Sequence, residues 1–270
     1  MLVPVPPMLR DRLDGFDPAS AAPTKDAATI AVVRDGDEGL EAFLMRRNSG
    51  MAFAPGMYVF PGGGVQEDDD EPLTWVGPPP EVWAERFSCT PELARRLVVA
   101  AVRETFEETG VLLAGPDADS IVDDTTDMDQ ARDDLEEKRY SFAHFLAERG
   151  LVLRTDLLGA WAHWITPAFE PRRYDTRFFV AALPKGQQID SVSLEADHSL
   201  WAPLSTVLKH VDAGDAAMLP PTAVTCRELA PLSADSVLPA SAERRIWPIE
   251  PRPVQADGQW WLDVNREEEI

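Results

Sequence analysis

Three carboxylates recur at helical spacing in the run Arg103-Glu104-Thr105-Phe106-Glu107-Glu108-Thr109-Gly110-Val111. At 3.6 residues per turn, Glu104, Glu107 and Glu108 leave one face of a helix and are expected to converge. As a solvated stripe, like charges at this spacing cost about 0.2–0.5 kcal/mol per pair, which an acidic protein tolerates. In a partly buried cleft, two of them about 4 Å apart repel by about 4 kcal/mol at an effective dielectric of 20, and a cation would relieve the repulsion. Oxygen ligands without His or Cys suit Mg²⁺ or Mn²⁺ rather than zinc. Upstream, Phe60-Pro61-Gly62-Gly63-Gly64 permits a tight turn in which backbone groups approach an ion or a phosphate closely. Together these residues suggest metal-assisted phosphate chemistry.

The elements that must position them are legible nearby. Thr90-Pro91-Glu92 supplies an N-cap, a proline at the first helical position and an acid in the first turn, predicting a helix that runs to Thr109. Gly110 then sits where a left-handed residue would end it. Arg103 lies about 100° round the helix from Glu104, so it is expected to brace the site rather than share the ligand face. A partner is available in Glu67-Asp68-Asp69-Asp70, through a guanidinium–carboxylate fork.

Residues 28–33 and 41–47 read as strands around the turn Asp35-Gly36-Asp37, with 57–60 a short third strand. The proline-rich stretch 72–80 is neither regular helix nor central strand and is expected to be an ordered loop or a lid. Residues 115–127 are Asp-rich and expected to form a mobile loop, followed by helices over 129–138 and 141–149. Asp123, Asp124 and Asp127 lack the glycine and terminal Glu of a calcium loop. Residues 159–165 and 174–182 read as strands, Ser205 as the cap of a helix ending before Gly214, and 246–249 with 259–264 as a hairpin around Asp257-Gly258. The order predicts an α/β fold with a mixed sheet between helical layers.

With 270 residues the chain can fill one large domain. The expected division is a core over about 26–232, insertions at about 70–90 and 115–150, and a C-terminal extension over about 233–270. Forty-seven acidic residues against 25 basic give a net charge of −22, which disfavours nucleic acid as a partner. The same field opposes an anionic metabolite, so local arginines and metal ions must overcome it. Cys89 and Cys226 lack metal-ligand spacing and are expected to be reduced thiols in a cytoplasmic protein. The longest apolar run, 97–102, is too short to span a bilayer, and the proline-broken N-terminus is unlike a secretory signal. A homodimer is compatible with the sequence.

Arg46 and Arg47 are adjacent in a predicted strand and must point to opposite faces, so one at most reaches a substrate. Arg172 and Arg173, ahead of the next strand, are better placed to hold a phosphate, although surface ion pairing would account for any of the four. Phe53, Tyr58, Trp164 and Phe169 could stack on a base, with core packing the default. His144, His163, His198 and His210 form no ligand pair at helical spacing and are read as structural.

The run resembles the box of the Nudix hydrolases, G-x5-E-x7-R-E-U-x-E-E-x-G-U with U a bulky apolar residue. Gly63, Arg103, Glu104, Glu107, Glu108, Gly110 and Val111 fall on its fixed positions. Asp69 stands in place of the first Glu, Thr105 in place of the first apolar residue, and 33 residues rather than seven separate Asp69 from Arg103. Such an interruption is similar to the branch that includes the peroxisomal coenzyme A diphosphatases. The runs Phe43-Leu44-Met45-Arg46-Arg47, Trp164-Ile165-Thr166-Pro167, Arg172 to Phe179 and Leu219-Pro220-Pro221 also resemble that branch. A different coenzyme A signature, with Arg four residues before the Gly of GxxxFPGG, is not met, because Ala52 occupies that place. The chain ends Glu268-Glu269-Ile270 rather than in a peroxisomal tripeptide, so the resemblance is not extended to cellular address.

The resemblance implies a Nudix fold and metal-dependent hydrolysis of a small nucleoside diphosphate derivative, with water as the nucleophile. Glu104 and Glu108 would be metal ligands, Glu107 a further ligand or a base acting through water, and the Gly63 carbonyl would complete the shell. Glu195 from a later loop, with Asp197 as its rival, would add an acid, as would Asp69. The leading substrate is coenzyme A or an acyl derivative, giving 3′,5′-ADP and 4′-phosphopantetheine. ADP-ribose or a nucleotide sugar is the alternative substrate, and a non-catalytic nucleotide-binding regulatory module is the alternative of another class.

If the glutamates converge on a cation, Glu108→Gln is expected to abolish turnover while leaving metal-free stability equal or slightly raised, because repulsion is relieved. Full activity in steady-state assays would remove Glu108 from the ligand set.

Overall fold

The computed structural model describes residues 2–5, 10, 12–13, 16–17, 20–48, 50, 54–189 and 196–264. Along them run β1 (Leu2–Pro4), β2 (Thr24–Gly36), β3 (Gly39–Arg47), β4 (Tyr58–Val59), β5 (Gly62–Gly64), β6 (Trp75–Val76), α1 (Pro80–Phe87), α2 (Pro91–Thr109), β7 (Ala114–Gly115), α3 (Asp129–Glu136) and α4 (Phe142–Glu148). There follow β8 (Val152–Arg154), β9 (Gly159–Ile165), β10 (Arg173–Ala182), β11 (Ala196–Pro203), α5 (Leu204–Ala213), α6 (Pro220–Leu229), α7 (Ala234–Glu243), β12 (Pro248–Ile249), β13 (Arg252–Ala256) and β14 (Gln259–Asp263).

The central sheet is mixed, in the order β11-β3-β2-β10-β9-β12, with β2 parallel to β10 and antiparallel to β3. Side chains alternate across a strand, and both faces of β2 are apolar. Ala28, Ile30 and Val32 enter a cluster with α1, α2, α3 and α4, whereas Ala31 and Val33 enter one with α5, α6 and α7. Helices therefore cover the sheet on both sides, as the element order predicts. The strand β2 holds β3 only through Val33–Gly36; its earlier half, Ala27–Thr29, pairs instead with Gly62–Gly64 of β5. As β2 and β3 part, β4 fills in along β3 and β5 along β2. The glycine run is thus wedged into the opening of the sheet, against the acids of α2.

Helix α2 forms as its end signals require. The Thr90 hydroxyl accepts from the Leu93 amide, Pro91 occupies the first position, and Gly110 closes the helix at φ 76° with its amide on the Phe106 carbonyl. The proline-rich stretch is fixed rather than lid-like: the Pro78 carbonyl accepts from the indoles of Trp75 and Trp83, and Trp75–Val76 pairs with β8. Its last proline starts α1, a helix absent from the sequence expectations, whose Trp83 and Phe87 pack on Phe179 of β10.

The Asp-rich stretch 115–127 is likewise pinned. Buried Gln187 donates to the carbonyls of Leu112 and Val122 and accepts from the Leu112 amide. Ser205 lies inside α5, whose first residue follows directly on β11, so the expected side-chain cap does not form. The hairpin around Asp257-Gly258 joins β14 to β13, while residues 248–249 enter the main sheet beside β9 instead of pairing with β14. Beyond residue 233 the chain continues into the core, where α7 packs its Val237 under the sheet. Helix α6, also absent from the sequence expectations, starts at Pro220, the proline supplying its first position.

Among the described residues no helix is long and apolar enough to cross a membrane. Neither cysteine is in a disulfide; Cys226 is fully buried, and burial pushes its thiol up to about 12.

Gly110→Ala is expected to lower stability by about 1–2 kcal/mol, because the left-handed backbone is strained for any other residue and the new methyl would sit 3.4 Å from the Arg132 guanidinium; denaturant unfolding would measure it.

Candidate active site

The C-terminal half of α2 lies against the glycine run, and one guanidinium organises the contact. Arg103 donates Nε to Asp69 Oδ1 at 2.8 Å and Nη2 to Asp69 Oδ2 at 3.1 Å, a bidentate fork. Its Nη1 reaches Glu104 Oε1 at 2.8 Å and Glu107 Oε2 at 3.1 Å, and Nη2 also meets the Gly64 carbonyl at 3.0 Å. Arg103 and Asp69 are 2% and 1% exposed, so the pair is buried. Asp69 is itself aimed by the Gln66 amide, 2.7 Å from Oδ2, at the start of a 3₁₀ turn over Asp68–Asp70.

The glycines are required by proximity. A Cβ on Gly63 would fall 2.5 Å from the Glu104 carboxylate, and one on Gly62 would fall 2.4 Å from the Ala28 carbonyl. The Gly62 amide donates to Glu108 Oε2 at 2.7 Å. From the insertion, Arg132 on α3 donates to the carbonyls of Phe106 and Glu107 at 3.1 Å each, clasping the helix end that carries the acids. Nothing in the sequence marks Arg132 for this, since its partners are backbone atoms about 25 residues away.

Burial acts first on the charges here. It raises the Glu107 carboxyl and Glu104 adds to the effect, while Arg103 opposes both; the outcome is a Glu107 pushed up to about 7. For Arg103, burial would lower the guanidinium, but Asp69, Glu104 and Glu107 outweigh it and hold the group above its ordinary value.

Two expectations change. Arg103 does reach Glu104 and Glu107, because its long side chain swings over the angle that separates the Cα atoms. Among the described residues no three His, Cys, Asp or Glu side chains gather as a metal-holding group: Glu104 and Glu107 turn to Arg103, and Glu108 turns to the Gly62 amide. The donor set still fits a hard divalent ion. It is all oxygen, three carboxylates surround one guanidinium with the fourth on the neighbouring glycine amide, and the Glu104 carboxylate fills the cradle that a side chain on Gly63 would occupy.

Asp69, considered as an extra acid, is committed to Arg103. Arg173 is drawn away from any phosphate, donating to the carbonyls of Thr166 and Ala22 and to Glu250 at 2.6 Å. Arg172 is exposed. Arg47 is on the α2 side of β3 with Phe43 and Met45, and Arg46 on the other side. Trp164 and Phe169 are core residues. Glu195 and Phe53 lie outside the described residues, as does the side chain of Asp197. His163 pairs with Asp175, which also holds Arg177, a structural role as expected.

The profile of the NUDT19 Nudix domain matches residues 83–229. The chain is 25% identical over 203 residues to the acyl-coenzyme A diphosphatase NUDT19 of Xenopus laevis, a match covering 60% of this chain and 52% of that protein. It is 24% identical over 230 residues to the acyl-coenzyme A diphosphatase NUDT19 of Homo sapiens, covering 72% and 61%. The chain thus spans about half to three-fifths of the length of these relatives. A crystal structure of a NUDIX hydrolase from Alicyclobacillus acidocaldarius aligns with a TM-score of 0.68 at 27% identity, over 81% of this chain and 96% of that one.

The folded pKa of Glu107, about 7, lies above the unfolded value, so the folded state binds the extra proton. The associated stability is fully present below the unfolded value near 4.5 and is lost as pH rises through about 7. In metal-free buffer, unfolding free energy is expected to fall between pH 5 and 8 by on the order of 3 kcal/mol at most. Glu107→Gln should flatten the curve; an unchanged slope in denaturant titrations would show that the proton is bound elsewhere.

Proposed function

The chain belongs to the NUDT19 Nudix domain family, and on that premise we propose that it is a Mg²⁺- or Mn²⁺-dependent diphosphatase. Its substrate is coenzyme A or acyl-coenzyme A, and its products are 3′,5′-ADP and (acyl-)4′-phosphopantetheine. The observation that carries this reading is the acidic group assembled on Arg103 against the glycine turn, with Glu104 lodged at Gly63 and Glu108 at the Gly62 amide. The acyl-coenzyme A diphosphatase activity for which the relatives are named supports the choice of substrate.

Glu104 and Glu108, with the Gly63 carbonyl, would hold the cation, and Glu107 would serve as a further ligand or take a proton from water. When bound, the metal polarises a phosphoryl oxygen and acidifies a water. Arg103 keeps Glu104 and Glu107 in place, and Arg132 fixes the backbone of the last helical turn. Arg47, on the α2 side of β3, is the arginine of the pair that would face the diphosphate. Two thiols outside any disulfide support a reducing, cytoplasmic setting.

Purified protein with either metal and a panel of coenzyme A, ADP-ribose and dinucleoside polyphosphates is expected to release 3′,5′-ADP from coenzyme A, read by mass, with Glu104→Gln reducing kcat by about 100-fold or more. Cleavage of ADP-ribose alone would keep the reaction and change the substrate. Binding without turnover across the panel would instead favour a regulatory nucleotide-binding module.

A further inference from the structure

Strand register brings three hydrogen-bond donors into one row outside the acidic group. Arg46 of β3 stands opposite Tyr58 of β4 on one side and opposite His198 of β11 on the other. Directly opposed residues share a face of the sheet, with Cβ atoms about 4.5–5.5 Å apart. Alternation identifies that face. Leu44 and Leu200, two residues away on their strands, belong to the core beneath α5 and α6, and Tyr58 packs on the same cluster. Met45 and Trp201 lie on the α2 side.

The row borders the opening where β4 enters between the parting strands. Beside it runs the loop ahead of α6: Tyr58 donates its amide to the Ala217 carbonyl at 2.9 Å and bridges to Met218. Arg46 and His198 are exposed and Tyr58 is half-buried. Among the described residues, none of the three side chains has a hydrogen-bond or ion-pair partner. That sets Arg46 apart from Arg34 on the adjoining strand, which is paired with Glu41 at 2.8 Å.

In a chain of net charge −22, a guanidinium between a phenol and an imidazole that is paired with no carboxylate among the described residues is a local set of donors. Its chemistry matches a tetrahedral dianion. Distance is also suitable. Gly62, whose amide holds Glu108, comes soon after Tyr58 in the chain, so Tyr58, the near end of the row, lies within about 14 Å of the glycine turn even for fully extended backbone, and Arg46 is one strand spacing beyond it.

We propose that Tyr58, Arg46 and His198 form a subsite for a phosphate monoester on the nucleoside half of the substrate, the ribose 3′-phosphate that coenzyme A carries and ADP-ribose lacks. The assignment rests on the diphosphatase reading and sharpens it: Arg47 serves the diphosphate on one face of β3, and Arg46 serves the monoester on the other.

Calorimetry with 3′,5′-ADP and 5′-AMP tests the subsite without turnover. Wild-type protein is expected to prefer 3′,5′-ADP by about 10-fold or more, and Arg46→Gln to reduce the preference to about 3-fold or less, with Arg46→Lys restoring part of it. In turnover, Arg46→Gln should raise KM for coenzyme A while leaving kinetics with dephospho-coenzyme A within about 2-fold. Equal wild-type affinity for the two nucleotides, or equal weakening of both by Arg46→Gln, overturns the subsite. A 3′,5′-ADP preference without coenzyme A hydrolysis would keep the subsite and discard the proposed reaction, whereas hydrolysis without the preference would do the reverse.

Discussion

The buried fork between Arg103 and Asp69 holds the whole site together. A guanidinium 2% exposed is stable only if its donors are met, and removing one partner of such a pair typically costs about 3–5 kcal/mol. Arg103 meets that demand with the Asp69 carboxylate, the Gly64 carbonyl and two glutamates of its own helix. In doing so it fastens the glycine turn to α2. The glutamates are held in an acid-rich, partly dry environment because the guanidinium offsets some of their charge without neutralising all of it.

This explains how the box tolerates a long interruption. The 33 residues between Asp69 and Arg103 leave as β6 and α1 and return as the first half of α2, with Trp83 and Phe87 packed on Phe179. The entropy of closing a loop grows only slowly with its length, so the fork can reassemble once the insertion has its own apolar contacts. Asp in place of Glu is accommodated in the same way: a shorter carboxylate suffices because the 3₁₀ turn and the Gln66 amide bring it up to the guanidinium.

The parting of β2 and β3 is a second constraint. It leaves the end of β3 at the opening, where adjacent Arg46 and Arg47 face opposite sides of the sheet by strand alternation. It also gives the glycine run a partner strand, which holds backbone amides at the acids without needing side chains there. The later insertion contributes through Arg132, whose contacts with the carbonyls of Phe106 and Glu107 satisfy the end of the helix at the place where rigidity matters most.

What short-range chemistry governs was legible in the sequence. The bounds of α2 follow from Thr90, Pro91 and Gly110, because caps act through hydrogen bonds between residues three or four apart. The strands at 28–33, 41–47, 159–165 and 174–182 follow from apolar and β-branched content, and the shared face of the helical acids follows from periodicity. Long-range contacts settled the rest. They let Arg103 gather the glutamates, occupy Arg173 with Glu250 and two carbonyls, and pin Pro78 under two tryptophans. They also give β14 the segment Arg252–Ala256 as its hairpin partner and send residues 248–249 to the main sheet. Each of these depends on which distant segments share a register or a dry surface, and pairings across tens of residues leave no period in the sequence to read.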